Sequence, residues 1–135
     1  MKQIIAAMFL TLAAGLWAQS PQALAANQPD ANNLSLEEMS SIVATKKAII
    51  IDANSAKTYD EGHIPGAISF AKGKDKLASM LPPNKDALIV AYCGGPRCTA
   101  WEDAAASAKS LGYTNIKHFS GGIKVWKDQG KTVEK

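Results

Sequence analysis

This sequence is poor in the residues that hold metals: two cysteines and two histidines in 135 positions. By number they could form a zinc set, but Cys93, Cys98, His63 and His118 match no usual ligand spacing, so no metal is expected. The longest uncharged apolar run, IIAAMFLTLAAGLW at 4–17, falls short of the ~20 residues a spanning helix needs. There is no internal repeat or low-complexity segment after the first 26 residues, and no basic run longer than Lys46-Lys47. With 15 basic against 12 acidic side chains, the chain has no strong pull toward nucleic acid or a membrane surface.

What is present begins with a leader. Met1-Lys2-Gln3 gives a singly basic start, the apolar run comes next, and Ala23-Leu24-Ala25 supplies a small-x-small cleavage pattern. Residues 1–26 therefore read as a signal peptide cleaved near Ala25 or Ala26, residues 27–34 as a polar linker, and 35–135 as one domain. The expected location is a bacterial periplasm, with no membrane attachment after cleavage and a monomer as the default state. Such a compartment favours disulfides. Removing Lys2 leaves 14 basic and 12 acidic residues, a net charge of +2.

In the mature part, Ser35 with Glu38 three residues on forms a capping box, followed by apolar positions at helical spacing. The short β-branched runs at 48–51 and 87–92 read as buried strands, with briefer ones at 68–70 and 115–119. Helices are expected over 55–61, 74–81 and 99–111, with a last one carrying Val125 and Trp126. Strands and helices alternate, and the strands are too hydrophobic to face water on either side. The fold class is α/β: a parallel sheet with helices packed on both faces. In such sheets sites lie beyond the carboxyl ends of strands, where Asp52 and Cys93 fall.

A cysteine at a strand end, before a glycine-bearing loop and a helix, sits where backbone N–H groups stabilise a thiolate. Gly94 and Gly95 let successive amides turn inward around a small anion. On position alone a nucleophile and an inert core thiol remain equally open.

Three motifs add to that reading: IIIDANSAKTYDEGHIPGAISF, IVAYC, and LGYTNIKHFSGGIKVWKDQG. In this order they resemble the rhodanese family of thiosulfate sulfurtransferase-type domains, and they cover nearly all of the chain from Leu34 onward. The resemblance implies a rhodanese-like sheet and a Cys93 nucleophile. That thiolate would take the outer sulfur of a small anionic donor such as thiosulfate, then pass it from a persulfide to a thiol or cyanide acceptor, with no cofactor. Gly94, Gly95, Pro96, Arg97, Cys98 and Thr99 would line the cradle. The sequence departs from the family where Cys98 replaces a common arginine, leaving Arg97 one position early. Pro96 fills a position often held by glycine and brings no N–H. Asn54 replaces an arginine common after the first strand. Cysteine phosphatases that share this fold need arginine six residues after the nucleophile, where Thr99 stands.

The cysteine pair keeps a second reading open. Cys98 could resolve a persulfide or sulfenate on Cys93, or the two could form a dithiol couple served by a redox protein partner. A non-catalytic binding domain is the third reading. A pure staple is the weaker role, because closing so short a loop contributes on the order of 2 kcal/mol. His63 is expected to brace the turn before Pro65 rather than act as a base. Asp52 is expected to order loop amides, while for Arg97 the steering of an anion and a solvated surface charge remain equally open. Trp101 reads as core packing or a pocket wall, and His118 as a surface or packing residue.

Overall fold

In a computed structural model the described residues are 32–135. The signal peptide expected over 1–26, and 27–31 of the expected linker, lie outside them. Four parallel strands, β1 (Ile49–Asp52), β2 (Ile68–Ser69), β3 (Ile89–Tyr92) and β4 (Ile116–His118), form one sheet in the order β2-β1-β3-β4. The helices are α1 (Leu36–Thr45), α2 (Ala56–Glu61), α3 (Phe70–Gly73), α4 (Leu77–Met80), α5 (Trp101–Ser110) and α6 (Gly122–Asp128). Among the described residues no helix is long and apolar enough to cross a membrane.

The alternation of side chains along β1 and β3 splits the core in two. Ile50, Val90 and Tyr92 pack with Met39 of α1 and with Ile123 and Trp126 of α6. Ile51, Ile89 and Ala91 face the other way, against Phe70, Leu77 and the two alanines Ala104 and Ala108 of α5. The small faces of those alanines let α5 lie close to the sheet. Helices thus cover both faces, as the continuous apolar strands require.

Local signals account for most boundaries. Ser35 Oγ accepts from the Glu38 N–H at 3.2 Å while the Glu38 carboxylate accepts from the Ser35 N–H at 2.8 Å, so the capping box starts α1. That backbone bond holds the Glu38 carboxyl below its ordinary pKa. At the end of α5, Gly112 takes φ +96°; its N–H donates to Lys109 and that of Tyr113 to the Ala108 carbonyl, a Schellman closure.

Two expectations needed revision. The strand expected over 68–70 ends at Ser69, because the Ser69 hydroxyl accepts from the Lys72 N–H and starts α3 at Phe70. The single helix expected over 74–81 is instead a 3-10 turn at Lys74–Lys76, which directly follows α3, and then α4, stopped where Leu81 turns extended before Pro82. Residues 32–34, expected to belong to a linker, are held in the fold. Leu34 is buried, its N–H donates to the His118 carbonyl, and the His118 N–H donates to Asn32, both at 2.7 Å.

Candidate active site at the end of strand β3

Cys93 directly follows β3, one of the two inner strands of the sheet, and is 1% exposed. Its loop turns back at once. The Cys98 N–H donates to the Gly95 carbonyl at 3.0 Å, making Gly95 to Cys98 a β-turn with Pro96 and Arg97 at its corners. Proline's fixed φ suits the first corner of such a turn. The turn sets the Cα atoms of Cys93 and Cys98 6.2 Å apart, and the two sulfurs are bonded to each other.

The loop is anchored from behind by α6. A helix start leaves N–H groups without helical partners. Here the N–H of Ile123 donates to the Cys93 carbonyl at 2.9 Å and that of Lys124 to Gly94 at 3.0 Å. Gly122 makes this approach possible. At φ +62°, a Cβ on it would lie 2.5 Å from the Cys93 carbonyl oxygen and 2.7 Å from the Gly95 nitrogen. The SGG motif is therefore the seat of the cysteine loop.

A second anchor lies under Cys93. Asp52, fully buried at the end of β1, accepts from the Tyr92 hydroxyl at 2.6 Å and from the Asn54 N–H at 2.7 Å. The same hydroxyl accepts from the Ile64 N–H at 3.0 Å. One phenol thus ties the first strand, the GHIPGA turn and the residue before Cys93 together. Burial, and then the Asp52 carboxylate beside it, push the Tyr92 hydroxyl far above tyrosine's ordinary pKa, so it stays a donor. Asp52 holds one loop amide and also a tyrosine whose hydroxyl no sequence motif singles out.

His63 braces the turn. Its Nδ1 donates to the Tyr59 carbonyl at 3.0 Å, its ring stacks on Tyr59 at 3.7 Å, and its backbone pairs with Glu134. The Glu134 carboxylate also accepts from the Gly66 N–H. The segment around Glu134 therefore closes over GHIPGA, a contact no local pattern announces. Trp101 stacks on His118 at 3.7 Å beside a separate cavity of about 340 Å³, and so serves packing at that face.

In front of the loop is an open cleft of about 400 Å³ lined by Gly94, Gly95, Pro96, Arg97, Cys98 and Lys124. Thr99 is exposed beyond it. Two cations border this cleft, and Lys124 was not among the residues expected there; its ammonium pairs with Asp128. The cradle expected from six successive amides is altered at two positions. Pro96 has no N–H, and that of Cys98 is turned to Gly95. Asn54 lies against this loop, its Oδ1 3.7 Å from where a Gly94 Cβ would be. Its Nδ2 is buried without a hydrogen-bond partner. Among the described residues no group of three or more His, Cys, Asp or Glu side chains is placed to hold a metal ion.

Comparison with known proteins places this geometry. Residues 35–129 match the model of the rhodanese-like domain. The chain is 33% identical over 96 residues to a tRNA uridine(34) hydroxylase of Photorhabdus laumondii, covering 67% of this chain and 26% of that protein. It is 27% identical over 103 residues to mouse thiosulfate sulfurtransferase/rhodanese-like domain-containing protein 3, covering 66% and 64%. The bacterial hydroxylase is thus a longer protein, of which this chain spans about a quarter. A solved Bacillus halodurans protein superposes with a TM-score of 0.65 at 31% identity, covering 76% of this chain and 75% of that one. Human single-domain sulfurtransferase superposes with a TM-score of 0.60 at 24% identity, covering 74% and 98%, a likeness of fold.

Proposed function

This chain belongs to the rhodanese-like domain family, and from that premise we propose that it is a sulfurtransferase working through a persulfide on Cys93. The observation that carries this reading is the seating of Cys93. It stands at the carboxyl end of an inner strand, its loop pinned by the Ile123 and Lys124 amides and its cleft bordered by Arg97 and Lys124. The reactive form is the reduced one. The Cys93 thiolate attacks the outer sulfur of a thiosulfate-like anion, the donor's S–S bond breaks, and sulfite leaves with the bonding pair. A thiophilic acceptor, a thiol or cyanide, then takes the outer sulfur and restores the thiolate. The Arg97 charge at the cleft border favours the incoming dianion.

Incubating the reduced chain with thiosulfate and cyanide tests this. Thiocyanate should form, and Cys93→Ser should abolish it. Unchanged turnover in that variant refutes the assignment. A second reading, a dithiol couple exchanging electrons with a redox partner, is favoured by one observation, the bond between Cys93 and Cys98. It predicts reversible oxidation with no thiocyanate at all. The apolar run at 4–17 and Ala23-Leu24-Ala25 support export. The mass of the protein recovered from periplasm tests that part, and retention of residues 1–26 in the cytoplasm refutes it.

A further inference from the structure

We propose that Cys98 is a resolving thiol, which discharges the sulfane sulfur of Cys93 as hydrosulfide and leaves the disulfide seen here as the product state. The proposal rests on the persulfide reading of Cys93 and concerns the step after loading. It makes the chain a dithiol-consuming reductase of sulfane sulfur, not only a carrier.

Three observations support it. In the bonded pair Cys93 is 1% exposed, whereas Cys98 is half-buried and borders the cleft, so Cys98 is the sulfur that an incoming dithiol meets. The β-turn closed by the Cys98 N–H and Gly95 carbonyl holds the second cysteine 6.2 Å away, Cα to Cα. The bond between the two sulfurs demonstrates that Cys98 reaches the inner sulfur, the one that must be attacked for hydrosulfide to leave. An internal thiol at bonding distance outcompetes one that must diffuse in.

The step balances. Cys93 carries –S–S⁻ after loading. The Cys98 sulfur attacks the Cys93 sulfur, the Cys93–Cys98 bond forms, and the persulfide bond breaks. The outer sulfur departs with that bonding pair and the Cys98 proton as HS⁻. Two electrons have moved from the cysteine pair to the sulfane sulfur. Resetting the pair takes a dithiol protein or small dithiol, which attacks the more exposed Cys98 sulfur, expels Cys93 as thiolate and ends as its own disulfide.

The test uses the full chain, reduced, freed of reductant, and given thiosulfate alone. Sulfide is measured together with intact mass. Wild type should release about one sulfide per chain and lose about 2 Da relative to the reduced chain, while Cys98→Ser should gain about 32 Da and release less than about a tenth as much. Added dithiol should turn the single release in wild type into continuous production. If wild type and Cys98→Ser both keep the added sulfur and release none, the resolving role is overturned and loading on Cys93 stands. If neither gains mass nor releases sulfide, the persulfide reading fails with it. Cys98→Ala repeats the variant arm, so that a folding defect specific to serine is separated from loss of the thiol.

Discussion

Replacing Tyr92 by phenylalanine removes one oxygen and keeps the ring, so it leaves almost no cavity. That oxygen donates to Asp52 and accepts from Ile64, both in the buried interior below Cys93. A hydrogen bond to a charged group contributes about 1.5–3 kcal/mol, and leaving a buried N–H such as that of Ile64 unpaired costs about 1–3 kcal/mol. Tyr92→Phe should therefore lose about 2.5–6 kcal/mol, a large part of the roughly 5–15 kcal/mol typical of a domain. Urea unfolding of the reduced proteins at neutral pH measures it, from midpoints at equal slope.

The same hydroxyl sets an alkaline limit. Its folded pKa is raised, by burial and then by Asp52, while an unfolded tyrosine titrates near 10. Above about pH 10 the unfolded chain loses a proton that the folded one keeps, so stability is intact below that pH and falls as pH rises. Tyr92→Phe should flatten that fall. A loss under about 1 kcal/mol at neutral pH, with an unchanged alkaline slope, would refute the claim that this phenol ties the three motifs together.

Gly122→Ala forces a side chain into left-handed backbone and into the Cys93 carbonyl, and should cost about 2–5 kcal/mol by thermal or urea unfolding. Ordinary stability would mean that α6 does not seat the loop. Arg97→Ala should raise the KM for thiosulfate about two- to fivefold at low salt with little change in kcat, the difference shrinking as salt screens the exposed charge. Reducing the disulfide should cost about 2 kcal/mol, because the closed loop is short; comparing urea midpoints with and without reductant checks this, and a much larger loss would favour a staple.

The sheet and its covering helices were readable because each signal was local: β-branched runs, a capping box at Ser35 and Glu38, Gly112 after an alanine-rich helix. The placement of Asp52 and Cys93 at strand ends was readable from the apolar runs before them, and such ends in parallel sheets are where candidate sites fall. What escaped was of another kind. Tyr92 ends an apolar strand, and nothing in IVAYC says that its hydroxyl meets residues 28 and 40 positions away. Glu134 closes on Gly66 across 68 positions, and Lys124 reaches the cleft through the docking of α6. The breaks at Phe70 and Leu77 escaped for a smaller reason. A serine cap outweighed the strand propensity of Phe70, and helical composition over 74–81 cannot separate one helix from a 3-10 turn followed by a short helix.

Pro96 and Cys98 looked like two independent losses from an amide cradle, one a missing N–H and the other a missing arginine. The turn from Gly95 to Cys98 makes them one feature. Proline at its first corner favours the reversal, the reversal turns the Cys98 N–H inward to Gly95, and the same reversal delivers the Cys98 side chain onto Cys93. A glycine at position 96 would keep the hydrogen bond possible but widen the loop's conformational range, lowering the fraction of time the two sulfurs are adjacent. Pro96→Gly should therefore slow closure of the reduced pair under mild oxidant, and leave its stability as a reduced protein nearly unchanged. Closure at the wild-type rate would show that the turn's proline has no part in bringing the sulfurs together.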